Sequence, residues 1–443
     1  MSSAFHLTPA SGRANGGMTR RQLFSASGVV GLTALLSACA GPGTARPAST
    51  GIATGGAIEG HVSFAHWRGE DRDVFAELIA RFVEKYPDVE ITQDISTSTD
   101  YNAQALRRMR DGAVGDIAPA GRGDQFESFI KVGQFVDLTD TGLVEKYEAS
   151  RIEVGAKDGK QYGLPYQIVF NVPIANMDVL ESVGYAEQPT DWNAYMDMLD
   201  KIKSKGITPF VFPGADAGNA GQLINSMSMN IAPSPDMFAK IQSGEYKCTD
   251  DWFIEMLYKY QELGAYAQDN AAGTAVEPAQ QLFATGKGAI LSTGSYHIAS
   301  VRSLGAEFPI DLVPAMTNDP GAATYVGIYN ATFILGINSA SKVQPAALAW
   351  FEFLSDPEIA SFYGDGTSQH TPVKGATYKD PDLMRLTPWL DKDLMLAPRF
   401  QFTDLDMRTA VEAAGLYALT GTQPEKAAED AQLIVDQRIA AAG

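Results

Sequence analysis

From residue 61 onward the apolar residues of the chain switch between two periods, two and about 3.6. His61 to Ala65 reads as a strand. From Asp71 the residues Val74, Phe75, Leu78, Ile79, Phe82, Val83 and Tyr86 recur at helical spacing, which puts one broad apolar face on a helix. Pro87-Asp88 stops it, and Val89-Glu90-Ile91-Thr92 alternates as a second strand. Strand, helix and strand form a βαβ unit, which implies a parallel pair with a right-handed crossover. Ligands of such sheets lie beyond the carboxyl ends of the strands. His66 and Trp67 fall there after the first strand, as do Ser98, Asp100 and Tyr101 after the second. Tyr101 to Arg110 reads as a basic helix and Gly115 to Ala118 as a third strand. The loop Gly121-Arg122-Gly123-Asp124 follows it; its two charged residues suit either a polyol or solvent.

The stretch Tyr162 to Met177 organises what surrounds it. Gly163 and Pro165 punctuate its start, Ile168, Val169 and Phe170 form a short apolar run, and Pro173 removes a backbone donor soon after. A proline there marks a strand that leaves its sheet. The chain is therefore expected to finish one α/β unit, cross over in extended form and begin another, flooring a cleft between two lobes. Beyond it, Met177 to Gly184 reads as a short helix. Thr190 is the expected cap of a helix bearing Trp192, Tyr195, Met196, Leu199 and Ile202, ended by Gly206. Ile207 to Phe212 reads as a strand broken by Pro209. Thr249 is the expected cap of a helix carrying Trp252, Phe253, Met256, Leu257, Tyr260 and Leu263, closed by Gly264. Residues from Asp356 onward read as largely helical, with Leu383 to Ala440 packed on the second lobe.

Composition narrows the class. A length of 443 residues allows two or three domains, and 45% hydrophobic with 20% charged residues is ordinary for a soluble globule. The formal charge of −19 argues against a nucleic-acid partner, which needs clustered Lys and Arg. Thr19-Arg20-Arg21-Gln22-Leu23-Phe24 is a twin-arginine export signal, and Leu36-Ser37-Ala38-Cys39 looks like a lipobox, with Cys39 acylated as the mature N-terminus. Simple cleavage after Ala38 is the alternative, and Met18 is an alternative start. Residues 40–60 are rich in Gly, Ala, Pro, Ser and Thr and read as a flexible tether of roughly 25 Å. The expected location is extracytoplasmic, lipid-anchored to the outer face of the cell membrane. Only Cys248 then remains, so no intrachain disulfide forms, and a half-buried inert thiol is the simplest reading of it.

Several chemistries lack their signature. Gly286-Lys287-Gly288 is not a phosphate loop, because position 281 is Gln and position 288 is Gly where the loop needs Gly and a hydroxyl. Ser295 and Ser368 lack the second glycine of a nucleophile elbow. The five histidines never fall at zinc spacing, although His66, His297 and His370 could meet in space. Paired carboxylates for glycoside hydrolysis leave no spacing signature, so nothing follows from their absence.

Six stretches in order resemble the extracellular solute-binding protein family 1 of bacterial ABC importers, the maltose-binding-like group. They are Phe82 to Ile91 (FVEKYPDVEI), Tyr162-Gly-Leu-Pro165 with Asn176 eleven positions after Pro165, Pro189-Thr-Asp-Trp192, Gly206-Ile-Thr-Pro209, Leu282 to Gly294 (LFATGKGAILSTG), and Ala346 to Pro357 (AALAWFEFLSDP). The similarity spans about residues 61–380. It implies an α/β fold of two lobes, periplasmic-binding-protein-like (type II), each lobe a mainly parallel sheet flanked by helices. Hinge crossings are implied near Tyr166–Phe170, Tyr325–Tyr329 and His370–Lys374. The implied division is a signal peptide over 1–38, a tether over 39–60, a first lobe of 61–167 and 330–370, and a second of 168–329 and 371–443.

The function implied is that of a receptor, not an enzyme. It is a monomer without cofactor that binds a mono- or oligosaccharide between its lobes and delivers it to ABC transporter permease subunits. Tyr296, after Gly294-Ser295, stands where the family stacks an aromatic, usually Trp, on a sugar. The stacking candidates are Trp67, Tyr101, Tyr166, Tyr296 and Tyr329, since sugar C–H faces lie on rings. The polar candidates are His66, Asp100, Arg122, Asp124, Gln167, Asn219, His297, Asn330 and Gln369. The turn around Asn219 often carries an aromatic in this family, so its absence here favours a smaller or more polar ligand. The alternatives are a polyamine held by Asp100 and Asp124, a glycerophosphodiester on Arg122, a metal, a secreted glycosidase or esterase, or a sensory or adhesive lipoprotein.

Overall fold

The first part of the chain builds most of one sheet and its helical cover in the expected order. The computed structural model describes residues 51–52, 55–110 and 114–442, so the leader, Cys39 and most of the tether lie outside them. Strands β1 (Gly60–His66) and β2 (Val89–Ile95) run parallel in register from Gly60 opposite Val89 to His66 opposite Ile95. The helix Arg72–Lys85 joins them and buries Phe75, Leu78 and Phe82. Strand β3 (Ile117–Ala120) lies parallel to β1 on its other side, two residues later than the spacing suggested. A two-stranded hairpin, β4 (Ala156–Lys157) and β5 (Lys160–Gln161), precedes the crossing. Strand β6 (Leu164–Phe170) is buried at every position.

After Phe170 and Pro173, strand β7 (Ile174–Asn176) belongs to a different sheet, as the proline predicts. That sheet has the order β10–β7–β9–β8, with β8 (Thr208–Val211), β9 (Gly288–Leu291) and β10 (Ile310–Leu312). Pro209 does not break β8. The strand is at the sheet edge, where the missing donor is tolerated. Strand β11 (Gly327–Ile337) returns to the first sheet, antiparallel to β6 and β3, and β12 (Leu394–Leu396) pairs with its start.

Buried side chains separate along these strands. Leu164 and Tyr166 of β6 belong to a first-lobe core with Phe64, Phe75 and Trp350, whereas Phe170 belongs to a second-lobe core with Phe210, Phe253 and Ile290. Strand β11 does the same in reverse, with Ile328 in the second core and Phe333, Leu335 and Ile337 in the first. The other face of the first sheet, with Ala118 and Ala120, packs on Tyr101, Phe126 and Phe129. The third connection comes late. Tyr147 bridges Val373 in the first lobe, the Lys379 and Asp380 N–H groups still reach Asp365 there, and Asp382 is held by Arg302 of the second lobe at 2.6 and 2.8 Å.

Three local expectations change for physical reasons. Asp191, not Thr190, caps the helix Trp192–Ser204, its carboxylate accepting the Ala194 N–H at 2.9 Å. Asp250, not Thr249, precedes the helix Asp251–Gly264, and its carboxylate turns back to the Lys247 N–H at 2.8 Å. The end of the tether is held: Ile52, one of its few large apolar residues, packs on the first-lobe core, and Ile52 N–H reaches the Asp137 carbonyl. Cys248 is fully buried, and burial pushes its thiol up to about 12. No described helix is long and apolar enough to cross a membrane.

Gly264 proves to be a packing glycine rather than a helix stop, since a Cβ there would lie 2.1 Å from the Leu419 carbonyl oxygen. It lets the helix Asp251–Gly264 approach Leu405–Leu419, which with Pro424–Ala442 covers the second core. Gly264→Ala is therefore expected to lower unfolding free energy by about 1–3 kcal/mol, read as a lower melting temperature by calorimetry. An unchanged melting temperature would contradict this contact.

Two histidines are buried uncharged. His66 accepts the Arg68 N–H at 3.2 Å on Nδ1 and meets Gln93 Oε1 at 3.0 Å through Nε2, and burial lowers its pKa to about 4 despite Gln93 and Asp71. His370 contacts the Leu383 carbonyl at 3.2 Å, and burial likewise lowers it to about 4. The unfolded chain takes up these protons near pH 6.5 while the folded protein does not until about pH 4. Stability is thus full above pH 7 and declines on acidification, by about 1.4 kcal/mol per pH unit for each histidine at the steepest. In an NMR titration neither imidazole should show a midpoint above pH 5; a midpoint near 6.5 for either would refute its burial as the neutral form.

Candidate functional site

The second-lobe wall starts where β9 ends. A Cβ at Gly294 would fall 2.3 Å from the Tyr296 ring and 2.5 Å from the Phe170 carbonyl, so only glycine lets that ring fold back over the chain beside β6. Ser295 Oγ accepts the Phe170 N–H at 3.0 Å and pins the turn to the crossing. The Tyr296 hydroxyl donates to Asn219 Oδ1 at 3.2 Å, and Asp216 fixes Asn219 by accepting its N–H at 3.0 Å. The His297 ring sits 4.6 Å from that of Tyr296. Burial, with the Arg68 charge across the cleft, lowers the His297 pKa to about 3, which leaves a neutral imidazole whose Nδ1 has no partner.

The first-lobe wall is built on the end of β1. Arg68 grips Asp71 with two bonds of 2.9 Å, and Asp71 also receives Gln167 Nε2 at 3.1 Å and the Tyr363 hydroxyl at 2.7 Å. Burial opposes the Arg68 charge, but Asp71 and Glu70 beside it hold its pKa above the ordinary value. Asp71 stands at a helix start yet does not cap it, because its carboxylate is committed to this network. Trp67 packs edge-on against Tyr101 at 5.0 Å and against Phe333 at 5.1 Å. Phe333 holds a left-handed backbone with φ of 52°, a strained conformation that aims its ring at Trp67.

The floor is the crossing. Ile168 N–H bonds the His370 carbonyl at 2.7 Å, and Asn171 Nδ2 reaches Gln222 Oε1 at 2.8 Å. Around it several buried polar atoms have no partner: Asn171 Oδ1, Ser292 Oγ, Thr293 Oγ1, Gln369 Oε1 and Thr371 Oγ1, besides His297 Nδ1. Each such group costs about 1–3 kcal/mol until a hydrogen bond meets it. A hydroxyl-rich ligand supplies both donors and acceptors for them.

The sequence-derived candidates divide accordingly. Tyr296, His297 and Asn219 come together on one wall, Trp67 and Tyr101 on the other, and Gln167 and Gln369 flank the crossing. Tyr101 is buried, its hydroxyl on the Pro119 carbonyl at 2.6 Å. Tyr166 lies in the first-lobe core with its hydroxyl on the Leu354 carbonyl at 3.0 Å, and His66 is enclosed by Phe64, Phe75 and Phe333. Asp100 is exposed at the start of the helix Ser98–Arg110, bonded to Thr97 at 2.8 Å. Arg122 donates to Asn330 Oδ1 at 3.0 Å and to the Ala397 carbonyl, and burial lowers its pKa to about 10. Asp124 is ion-paired with Arg408, and Tyr329 is half-buried on β11.

Sequence reasoning missed Arg68, Asp71, Asn171 and Thr293. Arg68 directly follows His66-Trp67 past the end of β1 and Asp71 stands three residues further on, within reach of the position rule that had singled out those two. Asn171 and Thr293 carry no such signal, because only the meeting of the Gly294 turn with β6 brings them to the floor. The charges around the cleft are spent on one another: Asp71 on Arg68, Asp124 on Arg408, and Glu412 on Arg399. Among the described residues no group of three His, Cys, Asp or Glu is placed to hold a metal ion.

Comparison with known proteins agrees with this architecture. Residues 68–361 match the family model of the bacterial extracellular solute-binding protein. The chain is 24% identical over 388 residues to the alpha-glucosides-binding periplasmic protein AglE of Rhizobium meliloti, covering 80% of this chain and 81% of that one. It is 19% identical over 355 residues to the multiple sugar-binding protein of Streptococcus mutans, covering 79% and 82%. The solved structure of RafE in complex with raffinose superposes with a TM-score of 0.74 at 19% identity, covering 85% of this chain and 99% of that one. With the two α/β lobes and the matched family model together, the chain belongs to the bacterial extracellular solute-binding protein family.

Proposed function

We propose that this chain is the carbohydrate receptor of an ABC importer, a binding protein without catalytic activity, that closes its lobes on an uncharged mono- or oligosaccharide and passes it to permease subunits. The observation that carries the reading is the set of unpartnered buried polar atoms around β6, next to an aromatic face, in a cleft whose charges already pair. A sugar offers many hydroxyls and apolar ring faces with no net charge, which matches this lining. A polyamine or a phosphodiester would have to displace a partner of Asp71 or Asp124, or take Arg122 from Asn330. The relatives that bind alpha-glucosides, multiple sugars or raffinose support the same class.

Within this reading Tyr296 stacks on the sugar, Trp67 faces it across the gap, and Asn219, His297, Thr293, Asn171 and Gln369 bond its hydroxyls. Tyr166, Tyr101 and His66 shape the walls from behind. The lobes that move are 61–167 with 330–370, and 168–329 with 371–443. The buried clusters support the first two boundaries, and the Val373 contact moves the last connection a few residues later. Closure gains ligand contacts from both lobes and so shifts the population toward the closed form. Export by the twin-arginine route and acylation at Cys39 would hold the receptor as a monomer on the outer face of the cell membrane, near its transporter.

A panel of neutral mono- to tetrasaccharides, scanned by thermal melting beside spermidine and glycerophosphocholine, tests the ligand class. At least one saccharide should stabilise the fold by about 2–4 kcal/mol at saturating concentration, and the charged compounds should not. Tyr296→Ala should weaken that saccharide about tenfold by titration calorimetry. Stabilisation by a charged compound alone would overturn the assignment.

A further inference from the structure

Four charges of alternating sign run from one lobe into the other. Asp124, at the start of the first-lobe helix Asp124–Lys131, pairs with Arg408 on the second-lobe helix Leu405–Leu419. Arg408 Nε lies 4.0 Å from Glu412, one helical turn on. Glu412 in turn takes Arg399 by two bonds of 2.6 and 2.7 Å. The inner pair is almost fully buried, with side chains 5% and 9% exposed, whereas Arg408 and Asp124 are 18% and 22% exposed.

Arg399 also holds the segment that forms the second cleft wall. Its Nη1 donates to the Gly218 carbonyl at 3.0 Å, directly before Asn219, and its backbone N–H donates to Asn225 Oδ1 at 3.1 Å. A Cβ at Gly221 would lie 2.2 Å from Glu412 Oε2, so the buried pair rests against the backbone of that segment. On the first-lobe side the fit is equally close. Gly123 has φ of 88°, and a Cβ there would lie 2.9 Å from the Phe400 carbonyl. Arg122, beside it, donates to the Ala397 carbonyl and lies 5.3 Å from the centre of the Phe400 ring.

We propose that the Arg122-Gly123-Asp124 turn is an interlobe latch, and that Arg408, Glu412 and Arg399 carry its engagement to the segment presenting Asn219. Arg408 and Arg399 are thus positioning residues: neither touches the ligand, and the wall they set is complete only when the lobes meet. This deepens the receptor reading by assigning its closure contact, and it rests on that reading only in that the lobes move. The outer pair is partly solvated, so it weakens as salt shortens the Debye length. The inner pair is shielded and stays.

Amide hydrogen exchange on the ligand-free full chain tests this without any sugar, so its failure is separate from failure of the sugar assignment. Asp124→Asn and Arg408→Gln should each speed exchange across residues 216–225 by roughly two- to fivefold, although residue 124 is in the other lobe. The double variant should be no faster than either single one, because both remove the same link. Arg408→Lys, which keeps the charge, should retain most of the protection, and 0.5 M NaCl should bring the unsubstituted protein to the level of Asp124→Asn. Unchanged exchange over 216–225 in Asp124→Asn, or additive effects in the double variant, would overturn the latch.

Discussion

The antiparallel pairing of β6 with β11 is the constraint on which the rest of the molecule is built. Six positions pair, from Leu164 opposite Leu335 to Phe170 opposite Tyr329, and each strand has one end in the first-lobe core and one in the second. Two extended segments tied by backbone hydrogen bonds resist shear between the strands, yet bend more readily than a packed core. Relative motion of the lobes is thereby confined to a hinge. The same pairing delivers the floor: Ser295 and His370 both bond to the β6 backbone, so walls contributed by distant parts of the chain are referenced to one strand.

The buried Arg68–Asp71 pair is better understood as organisation than as stabilisation. Desolvating both charges offsets most of their attraction, and an apolar pair of similar shape would often serve stability as well. What the pair does is fix Gln167 and Tyr363 through one carboxylate, joining the β1 end, the crossing and the helix Pro357–Thr367 at one point. Removing either partner would leave an unmatched charge, at a cost of about 3–5 kcal/mol. A ligand that brings its own charge to this wall meets the same penalty, whereas a neutral polyol does not.

The fold was legible because its determinants are local. Helical spacing from Val74 to Tyr86, alternation at Val89 to Thr92, and Pro173 after Phe170 fixed two sheets and the passage between them. Helix caps were less legible, since Thr190 with Asp191 and Thr249 with Asp250 offer adjacent choices that only the backbone geometry separates. For the site, strand-end position found Trp67 and the family motif found Tyr296. Side-chain direction is what those signals lack. Tyr166 and Gln167 are neighbours on one strand and both touch Tyr363, yet the Tyr166 ring packs in the core while the Gln167 amide joins the polar network. Arg122 and Asp124 looked like ligand groups because loops after strands carry function, but their partners Ala397 and Arg408 are more than 270 residues away in sequence. No local pattern encodes such a contact.

The same cleft that is organised for binding is costly when unliganded. Unpartnered polar atoms beneath the Gly294 turn and the left-handed Phe333 behind Trp67 both oppose folding, by about 1–3 kcal/mol for each feature. Against a net stability of roughly 5–15 kcal/mol for a domain, such terms are tolerable only because two large cores surround them. Their location is the informative part. Ser96, Gln188, Ser226, Trp252 and Trp350 each leave one such atom elsewhere, but the largest group, on Asn171, Ser292, Thr293, His297, Gln369 and Thr371, belongs to the segments around the crossing. A guest that satisfies them returns free energy already spent on ordering the site, so affinity arises from preorganised groups rather than from area alone.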